Sequence, residues 1–146
     1  ADGEIAMGAL DRQIGYLLRR AQLVIFSNFF AAFDHFDIKP AQYSVLTVVE
    51  SNPGIAQGRI AEALGIQKTN FVALVNGLET RGLLVRRSSP SDRRAHSLQL
   101  TDAGIALLAE LHATAERIEA RIVALVGEEA HRELFVPLKT IASARF

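Results

Sequence analysis

Along this 146-residue chain the apolar positions recur in two different periods. From Asp11 to Phe36, Ile14, Leu17, Leu18, Ala21, Ile25, Phe29, Ala32, Phe33 and Phe36 recur at three- and four-residue steps, the period of an α-helix. Phe26, Phe30 and Phe33 make a second stripe beside the first. A surface helix has one apolar face, so two predict burial against two partners, the extra one expected to be a second subunit. Asp37-Ile38-Lys39 breaks this helix, and Pro40, suited to a first helical position, opens the next, with Tyr43, Val45, Leu46, Val48 and Val49 as its apolar members. Asn52-Pro53-Gly54 stops it. A short helix follows on Ile60, Ala61 and Leu64 and ends at Gly65. Another runs from about Lys68 to Arg81, with Phe71, Leu74, Val75 and Leu78 on one face, and closes at Gly82.

The period then changes to two. Leu84 to Arg87 predicts a strand, and in His96 to Thr101 the residues Leu98 and Leu100 point one way while Ser97 and Gln99 point the other. Between them Ser88 to Arg94, SSPSDRR, is polar, basic and carries a proline, which suits a hairpin tip. Thr101 is a plausible N-cap for a long helix to about Val126. In it Leu108, Leu111, Ala115, Ile118, Ile122 and Leu125 step by three and four in turn, a heptad seam for helix-on-helix packing. At 1.5 Å per residue this helix would span roughly 35–40 Å. Gly127 breaks it, and Glu128 to Arg145 gives a last helix on Leu134, Leu138 and Ile141, with Pro137 a candidate kink. Residues 1 to about 10 are weakly patterned. Two apolar helices joined by a tight turn, then a basic hairpin, read as a winged helix-turn-helix. The expected fold is therefore mainly α with a small β-hairpin wing. It forms one domain over 1–146, with dimerisation helices at 11–36 and 102–146 and the winged helix-turn-helix at 40–101.

Composition sharpens this picture at three points. The chain has no cysteine, which excludes disulfide stapling, thiolate catalysis and cysteine-based redox sensing. No apolar run approaches the ~20 residues of a membrane span, and the first residues lack a signal-peptide pattern, so a reduced cytoplasmic setting is expected and no membrane partner. Net charge is zero, yet Arg59 to Arg94 holds seven basic against three acidic residues, a local +4. A neutral chain with a positive reading head suits phosphate binding, and double-stranded DNA is the expected partner.

The stretch RGLLVRRSSPSDRRAHSLQLTDAG resembles the wing signature of the multiple-antibiotic-resistance regulator (MarR) family. That signature is Asp-x-Arg followed by Leu-x-Leu-Thr, here Asp92-Arg93-Arg94 and Leu98-Gln99-Leu100-Thr101, behind a helix-turn-helix and before a long helix. The resemblance covers nearly the whole chain. It implies a triangular homodimer with the terminal helices interleaved into one base. It also implies a repressor that releases its operator when a small, often aromatic, acid or its thioester binds.

In a helix-turn-helix the second helix enters the major groove and its N-terminal residues meet base edges. Here these are Gln67, Lys68, Thr69, Asn70 and, a turn later, Ala73 and Asn76. Asparagine can pair bidentately with adenine, and alanine or threonine methyls can touch thymine. Gln57 and Arg59, at the head of the preceding helix, are backbone-contact candidates. On the wing, Asp92 and Arg94 stand close enough to pair; the resemblance implies that Asp92 steadies the loop and that Arg94 enters the minor groove. Arg93, Arg86 and Arg87 are expected on phosphates. The effector site is expected between the dimer base and the winged helix. There Phe26, Phe30 and Tyr43 would stack on an aromatic ring, and Arg19 or Arg20 would hold a carboxylate by a two-pronged bond.

No cofactor, metal or catalytic residue is expected. His35, His96, His112 and His131 offer no pair at metal-ligand spacing on one helix, and neither Gly-x-Ser-x-Gly nor a phosphate-cradling glycine loop occurs. Two other readings stay open: a metal-responsive regulator using His131 with Glu128, and a winged helix that binds protein rather than DNA.

Overall fold

The computed structural model describes residues 3–88 and 96–145. After a 3-10 turn at Gly8–Arg12 the chain forms α1 (Ile14–Phe33), a second 3-10 turn (Asp34–Phe36) and α2 (Pro40–Ser51). Then come β1 (Ile55–Ala56), α3 (Gln57–Leu64), α4 (Lys68–Thr80), β2 (Leu84–Ser88) and β3 (His96–Leu100). Two long helices close it, α5 (Asp102–Val126) and α6 (Glu128–Ser143). The mainly α, winged fold follows the apolar periods closely.

Each boundary has a local cause. Asp37 takes a left-handed φ of 52° at the elbow between α1 and α2. Pro40 is the first residue of α2, and the Lys39 N–H donates to Gln42 Oε1 at 3.0 Å. Thr101 caps α5, its Oγ1 accepting from the Gly104 N–H at 3.0 Å while donating to the Gly82 carbonyl at 2.6 Å. Gly127, with φ of 89°, turns the chain from α5 into α6.

The sheet has three antiparallel strands in the order β1-β3-β2, with Leu84 opposite Leu100, Ser88 opposite His96, and Ile55 opposite Leu98. The short β1 is an addition to the expected hairpin. Two residues carry no period to read, and β1 is held by Leu98, whose carbonyl also accepts from the Gly54 N–H at 3.0 Å.

The core lies in the winged helix and the two helix segments that cover it. Phe33, Val45, Leu46, Val49, Ile60, Phe71, Val75, Leu78, Leu84, Leu98, Leu108 and Leu111 are fully buried. Each such side chain stabilises the fold by about 1.5–3 kcal/mol relative to exposure. Beyond this core the terminal helices touch one another but are thinly covered. α6 buries no residue, and Leu125 and Val136 are 81% and 74% exposed. On α1, Ile14, Leu17, Leu23, Val24, Phe26 and Phe30 are exposed. One protomer leaves this apolar surface uncovered.

Candidate nucleic-acid interface and effector seam

The helix-turn-helix is built by α3 and α4. Gly65 ends α3 with φ of 63°, its N–H donating to the Glu62 carbonyl at 3.1 Å while that of Ile66 reaches Ala61 at 2.9 Å. α4 then starts at Lys68 behind Gln67, whose side chain makes no cap hydrogen bond. Phe71, Val75 and Leu78 anchor α4 in the core. The opposite face carries Lys68, Thr69, Asn70, Ala73 and Asn76, all exposed, with Gln67 exposed just before them. The residues singled out for base reading therefore share the outward side of the second helix.

At the head of α3 lies a concavity of about 460 Å³ between α3, α4 and β3, lined by Gln57, Arg59, Glu62, Lys68, Phe71 and His96 among others. Arg59 is exposed, whereas Gln57 is half-buried and its Oε1 is buried without a hydrogen-bond partner. Arg59 and Lys68 outweigh Glu62 there, and His96 adds a further donor. The cationic rim of this concavity offers donors of the kind that contact backbone phosphates. His96 comes to lie beside α3 through the pairing of β1 with β3, a contact between segments about forty residues apart.

The wing behaves differently from expectation at Arg86. Its Nη1 donates to Glu79 Oε2 at 3.0 Å, its Nη2 to Asn76 Oδ1 at 2.6 Å, and its backbone N–H to Glu79 Oε1 at 3.4 Å. Arg86 thus faces α4 and is not placed as a phosphate contact. The cause is the strand period: Arg86 lies two residues beyond buried Leu84 and shares its inward face. Arg87 points the other way and is exposed. Asp92, Arg93 and Arg94 lie outside the described residues.

The predicted effector residues fall on different faces of α1 and on α2. Arg20 does line a groove, of about 630 Å³, together with Val24, Ile25 and Asn28 of α1, Ile118, Arg121 and Ile122 of α5, and Leu134 of α6. Arg19, Phe26 and Phe30, spaced by seven and four, share a different face of α1. A line of rings leads inward from there: Phe26 to Phe29 at 6.5 Å between centroids, Phe29 to Phe33 at 5.4 Å, Phe33 to Tyr43 at 5.2 Å, and Tyr43 to His112 at 5.5 Å. Tyr43 Oη is 2.9 Å from His112 Nδ1, and His112 Nε2 is 2.9 Å from Glu50 Oε2. This polar chain ties α2 to α5 where the winged helix meets the base. Burial pushes the Tyr43 phenol above its ordinary 10.0, and the Glu116 and Glu50 carboxylates add to the shift.

Among the described residues no three His, Asp or Glu side chains gather as a metal cluster, and His131 pairs with Glu119 rather than Glu128. No described helix is long and apolar enough to cross a membrane.

A family profile described as MarR family matches residues 36–95. A protein of Thauera aromatica, named as a transcriptional regulatory protein for the hcr operon, is 31% identical over 139 residues, 94% of this chain and 84% of that protein. The chain belongs to the MarR family. Among solved structures this MarR-family chain is similar to the transcriptional repressor CouR bound to a 23-mer DNA duplex, with 46% identity and a TM-score of 0.91 over 96% of this chain and 99% of that one. CouR bound to p-coumaroyl-CoA matches with 43% identity and a TM-score of 0.88 over 97% and 100%.

Proposed function

We propose that this chain is a ligand-responsive repressor that binds a pseudo-palindromic operator as a homodimer and releases it on binding an arylacyl-coenzyme A thioester. The observation that carries this is the outward polar face of α4 beside a cationic cradle, in a chain similar over nearly its full length to CouR. CouR is seen both on a DNA duplex and with p-coumaroyl-CoA.

Dimerisation is supported by the apolar residues left exposed on α1, on α6 and at the end of α5. In the dimer the two copies of α4 would need to reach major grooves about 34 Å apart. The effector reading is supported by the ring series from Phe26 to His112 and by Arg20 and Arg121 at the edges of an apolar groove. A flat aromatic acyl group suits the first, and the phosphates of the coenzyme A moiety suit arginines. Release requires only that the effector favour a spacing of the two reading heads that DNA does not accept. The Tyr43–His112–Glu50 chain lies at the joint where that spacing is set. Acting on DNA, the protein would work in the cytoplasm, and we assign it no catalytic step.

Fluorescence anisotropy with an operator selected from genomic fragments tests this reading. p-Coumaroyl-CoA is expected to weaken binding by roughly 5- to 150-fold, the usual range of allosteric coupling. p-Coumarate and free coenzyme A, each lacking half of the thioester, are expected to do much less. A protein that retains no fragment at low salt, or one indifferent to every arylacyl thioester, refutes the corresponding half of the proposal.

A further inference from the structure

The hydrogen bonds of Arg86 bear on how the chain reads bases. Arginine has only donors. The Asn76 amide beside it must therefore turn Oδ1 to the guanidinium, at 2.6 Å, and Nδ2 away from it. Glu79 holds the guanidinium in place through Nη1 and also accepts from the Arg86 backbone N–H. The arginine is thus paired in charge and committed in direction. Asn76 is exposed on the outward side of α4, a turn and more beyond Asn70.

A free asparagine reads adenine with both ends of its amide, the oxygen accepting from N6 and the nitrogen donating to N7. Here the guanidinium already holds one of the two lone pairs of that oxygen and, with it, the orientation of the amide. We propose that Arg86 is a specificity-determining positioning residue: by holding Asn76 Oδ1 it fixes the amide with Nδ2 foremost, so that Asn76 reads chiefly as a donor. Such a reader favours a keto base, guanine or thymine, whose major-groove edge offers acceptors and no amino donor. Its bidentate contact to adenine is weakened, because the oxygen is shared with the guanidinium. This inference rests on the DNA-reading function proposed above and deepens it at one base of each half-site.

The test is operator selection from a randomised duplex library, followed by salt titrations on the selected site. The proteins are the wild type, Arg86→Met, Asn76→Asp and Arg87→Met. Wild type is expected to select a keto base at one position per half-site. Arg86→Met frees the amide, and the preference at that position is expected to fall by about three- to tenfold, a part of the discrimination that a full bidentate contact gives. Its salt slope is expected to stay unchanged, because a guanidinium paired with Glu79 neutralises no phosphate. In Arg87→Met the slope is expected to drop by roughly 0.9, the value of one phosphate contact. Asn76→Asp replaces the donor by an acceptor while leaving Arg86 its partner, so its preference is expected to move to an amino base. This second variant decides the matter even where Arg86→Met folds poorly. The assignment is overturned if Arg86→Met lowers the salt slope by about one and keeps the wild-type preference, or if Asn76→Asp selects the wild-type site. Wild-type protein that selects no sequence at all overturns the DNA-reading function, and this assignment with it.

Discussion

Gly104 offers the sharpest test of how the wing is fixed to the base. It lies in the first turn of α5, buried against the backbone that leads into β2. A Cβ placed there would overlap the Leu83 carbonyl oxygen and stand 3.0 Å from its carbon. A methyl carbon needs roughly 3.5 Å from its neighbours. The obstacle is backbone, so no rotamer change relieves it, and α5 must move away from Leu83. That movement pulls on two hydrogen bonds: Thr101 N–H to the Leu83 carbonyl at 3.1 Å, and Thr101 Oγ1 to Gly82 at 2.6 Å. Each contributes about 1 kcal/mol. The displaced core contacts around Leu83 and Leu108 add about 1–3 kcal/mol of packing strain. Alanine's better helix propensity returns at most ~1 kcal/mol. Gly104→Ala is therefore expected to destabilise the protein by about 2–4 kcal/mol. Urea denaturation at fixed protein concentration checks this, and with a slope of roughly 2 kcal/mol per molar the midpoint should fall by about 1–2 M. A variant that unfolds within about 0.3 M of the parent would mean that α5 and Leu83 do not approach as closely as the structure shows.

Two further outcomes are expected. Replacing Leu125 and Val136, the most exposed apolar residues of the long helices, by glutamate should yield monomers in sedimentation at micromolar concentration, with helical content retained; a persistent dimer would place the interface elsewhere. Tyr43→Phe should alter the alkaline limb of stability. The folded phenol titrates above the ordinary 10.0, so the unfolded chain loses this proton first and each further rise in pH favours unfolding. The contribution is whole below the ordinary value and is lost as pH rises through the folded one. Urea midpoints taken between about pH 8 and pH 11 should therefore fall less steeply in Tyr43→Phe than in the parent, and equal slopes would refute the assignment.

What could be read from the sequence divides along a physical line. Features with a local period were legible. The stripes of α1, α4 and α5 gave those helices, and Gly65, Gly82 and Gly127 marked three turns where φ is positive. Features that depend on contact between distant elements were not. Nothing in the order of residues brings His112 to Tyr43, 69 positions away, or β1 to Leu98. Gly104 is similar: a glycine inside a helix reads as a weak spot, and its reason is the backbone of another element at its surface.

Two departures belong to neither class, because the information was present and pointed elsewhere. Helical geometry advances about 100° per residue. It therefore sets Arg19 with Phe26 and Phe30 on a side of α1 away from Arg20, Val24 and Asn28, so that of the two arginines offered only Arg19 shares a face with those rings. Strand alternation likewise sets Arg86 with Leu84 and against Arg87. An arginine continuing a buried face needs an acceptor, and the acidic residue at the end of the preceding helix, Glu79, supplies it. Counting Arg86 as free positive charge therefore overstated what the wing offers to phosphates. The same pairing ties α4 to β2 through Asn76, Glu79 and Arg86.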